Sequence, residues 1–170
     1  MTGYSLECPA VGGAAEPGAL NIVFGVFYRA VAASALPDVL SGSVRAGRYS
    51  RIDQPTLYLS ASPEGVAASM LKYRAGQTEP QMLAAIAVRD ASVVDLRDIE
   101  FCRAAGIDPA DAAADWETIA AAGGVPPSWR VRQRAVELGA SGLIDPSRKA
   151  PGLWHLTLSD GTRPARRSSN

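Results

Sequence analysis

Asn21-Ile-Val-Phe-Gly-Val-Phe-Tyr-Arg29 is the stretch on which the fold turns. Its β-branched and aromatic side chains are almost continuous, which predicts a strand buried on both faces. The run ends in an arginine, and a charge that follows eight mostly apolar residues must find a partner. Outward from it, Thr56-Leu-Tyr-Leu-Ser60 reads as a second strand and 82–89 and 92–96 as two more. Gly142-Leu-Ile-Asp-Pro-Ser147 and the alternating Leu153-Trp-His-Leu-Thr-Leu158 complete the set. Ser62-Pro63-Glu64 starts a helix: a hydroxyl able to cap, a proline whose missing N–H costs nothing at the first position, and an acid facing the positive end. That helix is predicted to run to about Arg74, with Val66, Met70 and Tyr73 on one face, Ser69 beside them, and Gly76 as the stop. Asp108-Pro-Ala-Asp111 opens an alanine-rich helix through Trp116 and Ile119 to Gly123-Gly124. Ser128 is read as the cap of another, which carries Val131, Ala135 and Leu138 and closes at Gly139. Together these elements predict an α+β fold, a mixed, largely antiparallel sheet split around a cleft with flanking helices.

The 170 residues amount to one domain, expected over 21–160, with a loop-like N-terminal arm at 1–20 and a flexible arginine-bearing tail at 161–170. Seventeen Lys and Arg balance seventeen Asp and Glu, so no polybasic surface is present to release counterions from nucleic acid or to hold anionic lipid. The 47% apolar content suffices for a core, although only 6% of the chain is aromatic and alanine supplies much of the rest. Cys8 and Cys102 stand in no CxxC or Cys/His cluster, no cationic segment opens the chain, and no apolar run approaches a membrane span. A cytoplasmic protein is the expectation. One histidine, His155, with no acids clustered around it in sequence, leaves too few ligands for a zinc or two-metal site.

No GxGxxG follows a strand, and GxxxxGK[ST], GxSxG and HExxH are all missing. The remaining candidates are arginines, tyrosines and serines, each with two readings. Arg29, and Arg48 in a Gly/Ser-rich loop, suit a bidentate grip on a diphosphate, or else solvation and structural ion pairing. Tyr58 points away from Leu57 and Leu59, either to stack on a planar ring or to pack at a rim. Ser147, after Asp145-Pro146, either bonds a ligand or makes a turn, and His155 is expected to be solvated or hydrogen-bonded.

Taken in order, Phe27-Tyr28-Arg29, Ala46-Gly47-Arg48-Tyr49-Ser50, Thr56-Leu-Tyr58-Leu-Ser-Ala-Ser62-Pro-Glu-Gly-Val-Ala-Ala and Gly139-Ala-Ser-Gly142-Leu-Ile-Asp-Pro146-Ser147-Arg-Lys-Ala-Pro151-Gly resemble the RES-domain family over roughly residues 22–158. The resemblance implies a fold similar to ADP-ribosyltransferases and the toxin half of a bacterial Xre/RES toxin–antitoxin pair that consumes NAD without a metal. By position it assigns the grip on NAD to Arg29 and Arg48 with Tyr49 beside them, and further contacts to Tyr58 and Ser147. Catalysis falls to Arg29, Tyr58, Ser147 and the position of Ser69. At Ser69 the chain departs from the family, which has glutamate there to stabilise a ribosyl cation or activate a nucleophile. A serine does neither well, so the expected reaction is transfer of ADP-ribose to a cytoplasmic target protein that brings its own nucleophile. Degradation of NAD by water or phosphate, and a binding-only relic, are the alternatives. The implied partner is an Xre-type antitoxin that covers the cleft.

Overall fold

The computed structural model describes residues 8–13 and 18–159. It contains six strands: β1 (Ala10–Gly12), β2 (Asn21–Ala32), β3 (Leu57–Ser60), β4 (Gln81–Asp95), β5 (Gly142–Pro146) and β6 (Trp154–Leu158). The helices are α1 (Pro63–Met70), α2 (Ile99–Ala104), α3 (Pro109–Ala113), α4 (Trp116–Ala121) and α5 (Pro127–Glu137). The sheet order is β1-β2-β3-β6-β5-β4, and β2 also pairs with β4, so β2 to β6 form a closed ring. Every pairing is antiparallel except β4 with β5. The architecture is thus the mixed, largely antiparallel α+β arrangement expected from the sequence.

Because successive side chains point to opposite faces of a strand, the ring has two cores. Val23, Phe27, Leu57, Leu59, Val93, Ile144 and Leu156 fill the inside, with Trp154 set edge-on to Phe27 at 5.6 Å between ring centroids. Leu143 and Val94 point outward and are covered by Cys102, Ala112, Val131 and Ala135 from the helices, with Tyr58 packed against them. Each fully buried Leu or Ile is worth about 1.5–3 kcal/mol relative to exposure, so a few of them decide on which face a strand register settles.

Several local expectations change. Arg29 does not end its strand: β2 continues to Ala32. Only Val23, Phe27 and Val31 of β2 are buried, while Ile22 and Phe24 remain more than a third exposed, so its apolar run does not mean burial on both faces. The segments 82–89 and 92–96 are one strand, β4, whose register shifts opposite Phe24, with Asp90 at φ 51°. That bulge keeps the polar Arg89-Asp90 pair inside a strand, and Asp tolerates the left-handed conformation better than most residues. Helix α1 stops at Met70. The helix expected from Asp108 is two helices, because Asp115 caps anew by accepting from Thr118 N. Ser128 is not a cap: Pro126 holds that position and Ser128 lies inside α5. The six-residue α2, capped by Asp98, is too short to show an apolar stripe. Within the stretch read as an arm, β1 pairs with β2 from Ala10↔Phe24 to Gly12↔Ile22. The tail at 161–170 lies outside the described residues, among which no helix is long and apolar enough to cross a membrane.

Candidate functional site

The loop before β3 ends in a tight turn, where Gly47 N donates to Ser50 O (2.9 Å) and Ser50 N to Gly47 O (3.3 Å), leaving Arg48 and Tyr49 at the tip. Three elements fix this tip. Tyr58 on β3 sends its hydroxyl into the turn, accepting from Tyr49 N (3.1 Å) and sharing a hydrogen bond with Ser50 Oγ (2.8 Å). A Cβ on Gly47 would stand 2.5 Å from that hydroxyl, so only glycine admits the contact. From α5, Ser128 Oγ donates to Arg48 O and Trp129 Nε1 to Gly47 O (3.0 Å). With its backbone held on both sides, the turn aims its two side chains in fixed directions.

Tyr49 points into the outer core, and its buried hydroxyl lies against the Asp145–Arg148 pair without a hydrogen bond of good geometry. Burial, then the Asp145 charge, holds its phenol well above the usual tyrosine value. Arg48 reaches α3. Its Nη1 donates to Ala112 O (2.9 Å) and Ala114 O (2.8 Å), the carbonyls at the end of α3. Arg148 Nη1 donates to the same Ala112 O (3.1 Å) while its guanidinium embraces Asp145 at 2.9 and 3.3 Å. Two guanidinium groups therefore converge on one carbonyl, with one buried carboxylate between them. Burial, and then the Arg148 charge, pulls the Arg48 guanidinium below the ordinary arginine value. Such a site has positive charge in excess and suits an anion with several oxygens.

Beside it, Tyr28, Ser60, His155 and Asp145 stand in one row across β2, β3, β6 and β5. Ser60 Oγ and His155 Nδ1 are 2.9 Å apart, and burial lowers the imidazole pKa, against the opposing effect of Asp145. His155 is hydrogen-bonded, as its place in the strand led one to expect.

The other sequence candidates are more dispersed. Arg29 donates to Val39 O (2.8 Å) and Ser41 O (3.2 Å), and burial lowers its pKa; these partners are not shared with Arg48. A surface groove of about 550 Å³ lined by Pro37, Val39, Ser41, Val44 and Pro55 adjoins it, and shares no lining residue with the Arg48 cluster. The groove has no charged side chain besides Asp38, whereas the chemistry is concentrated around Arg48. Ser147 makes a turn, accepting from Ala150 N (3.2 Å) and donating its own N–H to Leu153 O (2.8 Å). Ser69 Oγ donates to Val66 O (2.8 Å) within α1. Just past α1, Lys72 forms an ion pair with Glu117 of α4, and Tyr73 Oη donates to Glu117 Oε1 (3.3 Å).

Sequence reasoning missed Arg148, Asp145, Ser128 and Glu117. The first two carried a signal in their i,i+3 spacing across Pro146-Ser147, a spacing that suits an ion pair over a tight turn. The other two meet partners 80 and 45 residues away, and no local pattern announces them.

The RES domain family model matches residues 25–169. The crystal structure of the M. tuberculosis MbcT–MbcA toxin–antitoxin complex contains a chain of similar fold, with a TM-score of 0.62 and 22% identity, covering 83% of this chain and 78% of that one. The likeness shows that the two chains share an α+β fold. No curated protein matches the sequence.

Proposed function

The chain belongs to the RES domain family, and from that premise we propose that it is the NAD-consuming toxin of a bacterial toxin–antitoxin pair, a mono-ADP-ribosyltransferase that modifies a target protein. The observation that carries the reading is the convergence of Arg48 and Arg148 on Ala112 O. Among the described residues Arg48 bonds through Nη1 alone, so its Nε and Nη2 donors are left to a ligand. A diphosphate matches that geometry, and NAD brings one, joined to a ribose whose bond to nicotinamide is already weakened by the pyridinium charge.

In this mechanism Arg48 holds the diphosphate and Arg29 supplies the second cation. Tyr58 packs against the nicotinamide or its ribose, and Ser147 bonds the ribose or amide. Nicotinamide departs as a neutral molecule, so the leaving group needs no proton. Nucleophilic attack on the ribose then comes from the target protein, because Ser69 offers a hydroxyl already bonded to Val66 O rather than a base. The partner that silences the toxin is an Xre-type antitoxin. A segment of it that enters the site is expected to be acidic, since carboxylates replace a diphosphate between guanidinium groups.

The test is incubation of the purified protein and a cell lysate with NAD labelled in its adenylate part. Label covalently attached to protein supports transfer. Label recovered only in small molecules replaces transfer by hydrolysis or phosphorolysis, and intact NAD in the presence of a folded, NAD-binding protein sinks the enzymatic reading.

A further inference from the structure

Loss of nicotinamide leaves positive charge on the ribose, and enzymes that break glycosidic bonds place a carboxylate against that charge. Four carboxylates need to be weighed around Arg48 and along α1. Asp145 is buried with both oxygens bound by Arg148, and withdrawing it would strand a charge. Asp115 has both oxygens committed to Thr118 as the cap of α4. Glu64 lies fully exposed in the first turn of α1, bonded to Ser62 and its own backbone. Glu117 differs from all three. It sits in the first turn of α4, three residues beyond the Ala114 carbonyl that Arg48 grips at 2.8 Å, and its charge acts on Arg48. Its oxygens meet Lys72 and Tyr73, which follow α1 directly, so the carboxylate crosses to the end of the helix that carries Ser69.

We propose that Glu117 is the carboxylate that faces ribose C1′ when nicotinamide leaves, a step that rests on the NAD-cleaving reading above. In this reading Arg48, bonded to the end of α3, holds the diphosphate, while Glu117 in the first turn of α4 reaches the residues that follow α1. In the free protein the Lys72 ammonium occupies the carboxylate's attention. Both members of that pair are well exposed, 51% and 37%, so the contact is weak and exchangeable. During the reaction the C1′–N1 bond breaks with its electron pair passing to the nicotinamide nitrogen. The pyridinium's charge moves to C1′ and O4′ opposite Glu117. A lone pair of the target's nucleophile then closes the bond to C1′, its proton leaving to solvent.

Three full-chain variants test this, each measured for nicotinamide release from NAD in the presence of lysate and for NAD affinity by calorimetry. Glu117→Gln is expected to cut release by about 100-fold or more with NAD affinity retained, the usual scale for losing a charged group aimed at a transition state. Lys72→Met, which breaks the ion pair but keeps the carboxylate, is expected to release nicotinamide at the wild-type rate or faster. Adding Ser69→Glu to Glu117→Gln is expected to restore part of the lost rate, because Ser69 stands near the end of α1, four residues before the Tyr73 that meets Glu117. Wild-type release by folded Glu117→Gln overturns the inference and leaves the NAD-cleaving reading standing. Equal losses in Lys72→Met and Glu117→Gln also overturn it, in favour of a purely structural latch. No release by the wild-type protein overturns both.

Discussion

Replacing Arg48 by alanine separates its two duties, since the guanidinium both braces α3 and, in the proposed reaction, grips the substrate. On the structural side two charge-assisted hydrogen bonds disappear, those to Ala112 O and Ala114 O. Ala112 O keeps Arg148 as a donor at 3.1 Å, and Ala114 is half-buried, so water replaces the bond that is lost there. A hydrogen bond to a charged group is worth about 1.5–3 kcal/mol, and with one carbonyl still served and the other wetted the net cost is about 1–2 kcal/mol. For a chain of this size that lowers Tm by about 2–8 °C. On the binding side, removing one partner of a desolvated charge pair costs about 2–5 kcal/mol, or about 30-fold to several-thousand-fold in affinity. Thermal unfolding by circular dichroism and NAD titration by calorimetry, on the same preparation, read the two numbers independently. A folded variant whose affinity for NAD stays within a factor of about three would remove Arg48 from the site, since no bidentate grip is worth so little.

The remaining expectations are local. His155 has a folded-state pKa below its unfolded value because burial disfavours the imidazolium. The stability tied to its neutral form is present above the unfolded pKa of about 6.5 and is lost as pH falls through the folded value. His155→Asn, which keeps a polar atom near Ser60, is expected to narrow the stability gap between pH 7 and pH 5.5 seen by urea denaturation; an unchanged gap would contradict this. Gly142→Ala would set a Cβ 2.1 Å from Thr157 O between β5 and β6, where neither backbone has room to yield, and is expected to cost at least about 3 kcal/mol in the same assay. Cys102 is buried with its thiol pushed up to about 11, whereas Cys8 is exposed. A thiol reagent at pH 8 is expected to modify one cysteine quickly and the second only on unfolding, and two fast thiols would refute the burial of Cys102.

Much of this was written locally and was therefore legible. β3, β5 and β6 follow from short apolar runs bounded by turn residues, and the Ser62-Pro63 start of α1 from the chemistry of the first helical turn, which the structure repeats as Gly65 N donating to Ser62 Oγ. Where the reading failed, a local signal had a second meaning. Pro127 takes the first helical position of α5, which moves Ser128 one residue inside and frees its hydroxyl for Arg48 O. The Arg89-Asp90 pair looked like a break because charge inside a strand is rare, yet a bulge accommodates it. The candidate site was legible as a set of residues, Arg48, Tyr49 and Tyr58 in particular, but not as an arrangement. Its geometry depends on contacts such as Arg48 to Ala112 and Ala114, 64 and 66 residues apart in sequence.

Those separations also set a timetable. Arg48 and Tyr58 are synthesised early, but the ring that presents them closes only when β6 pairs with β3, from Leu57↔Leu158 to Ser60↔His155. At a synthesis rate of 5–20 residues per second, roughly 5–20 s pass between the appearance of Arg48 and that of Leu158. Until that interval ends β3 lacks β6 beside it, and for all but its last ten residues Asp145 and Arg148 do not both exist. A chain cut short before α5 carries the early arginine and tyrosines without Ser128, Trp129, Asp145 and Arg148 beside them. Such an order of assembly makes the arrangement around Arg48 a property only of chains that have closed the ring.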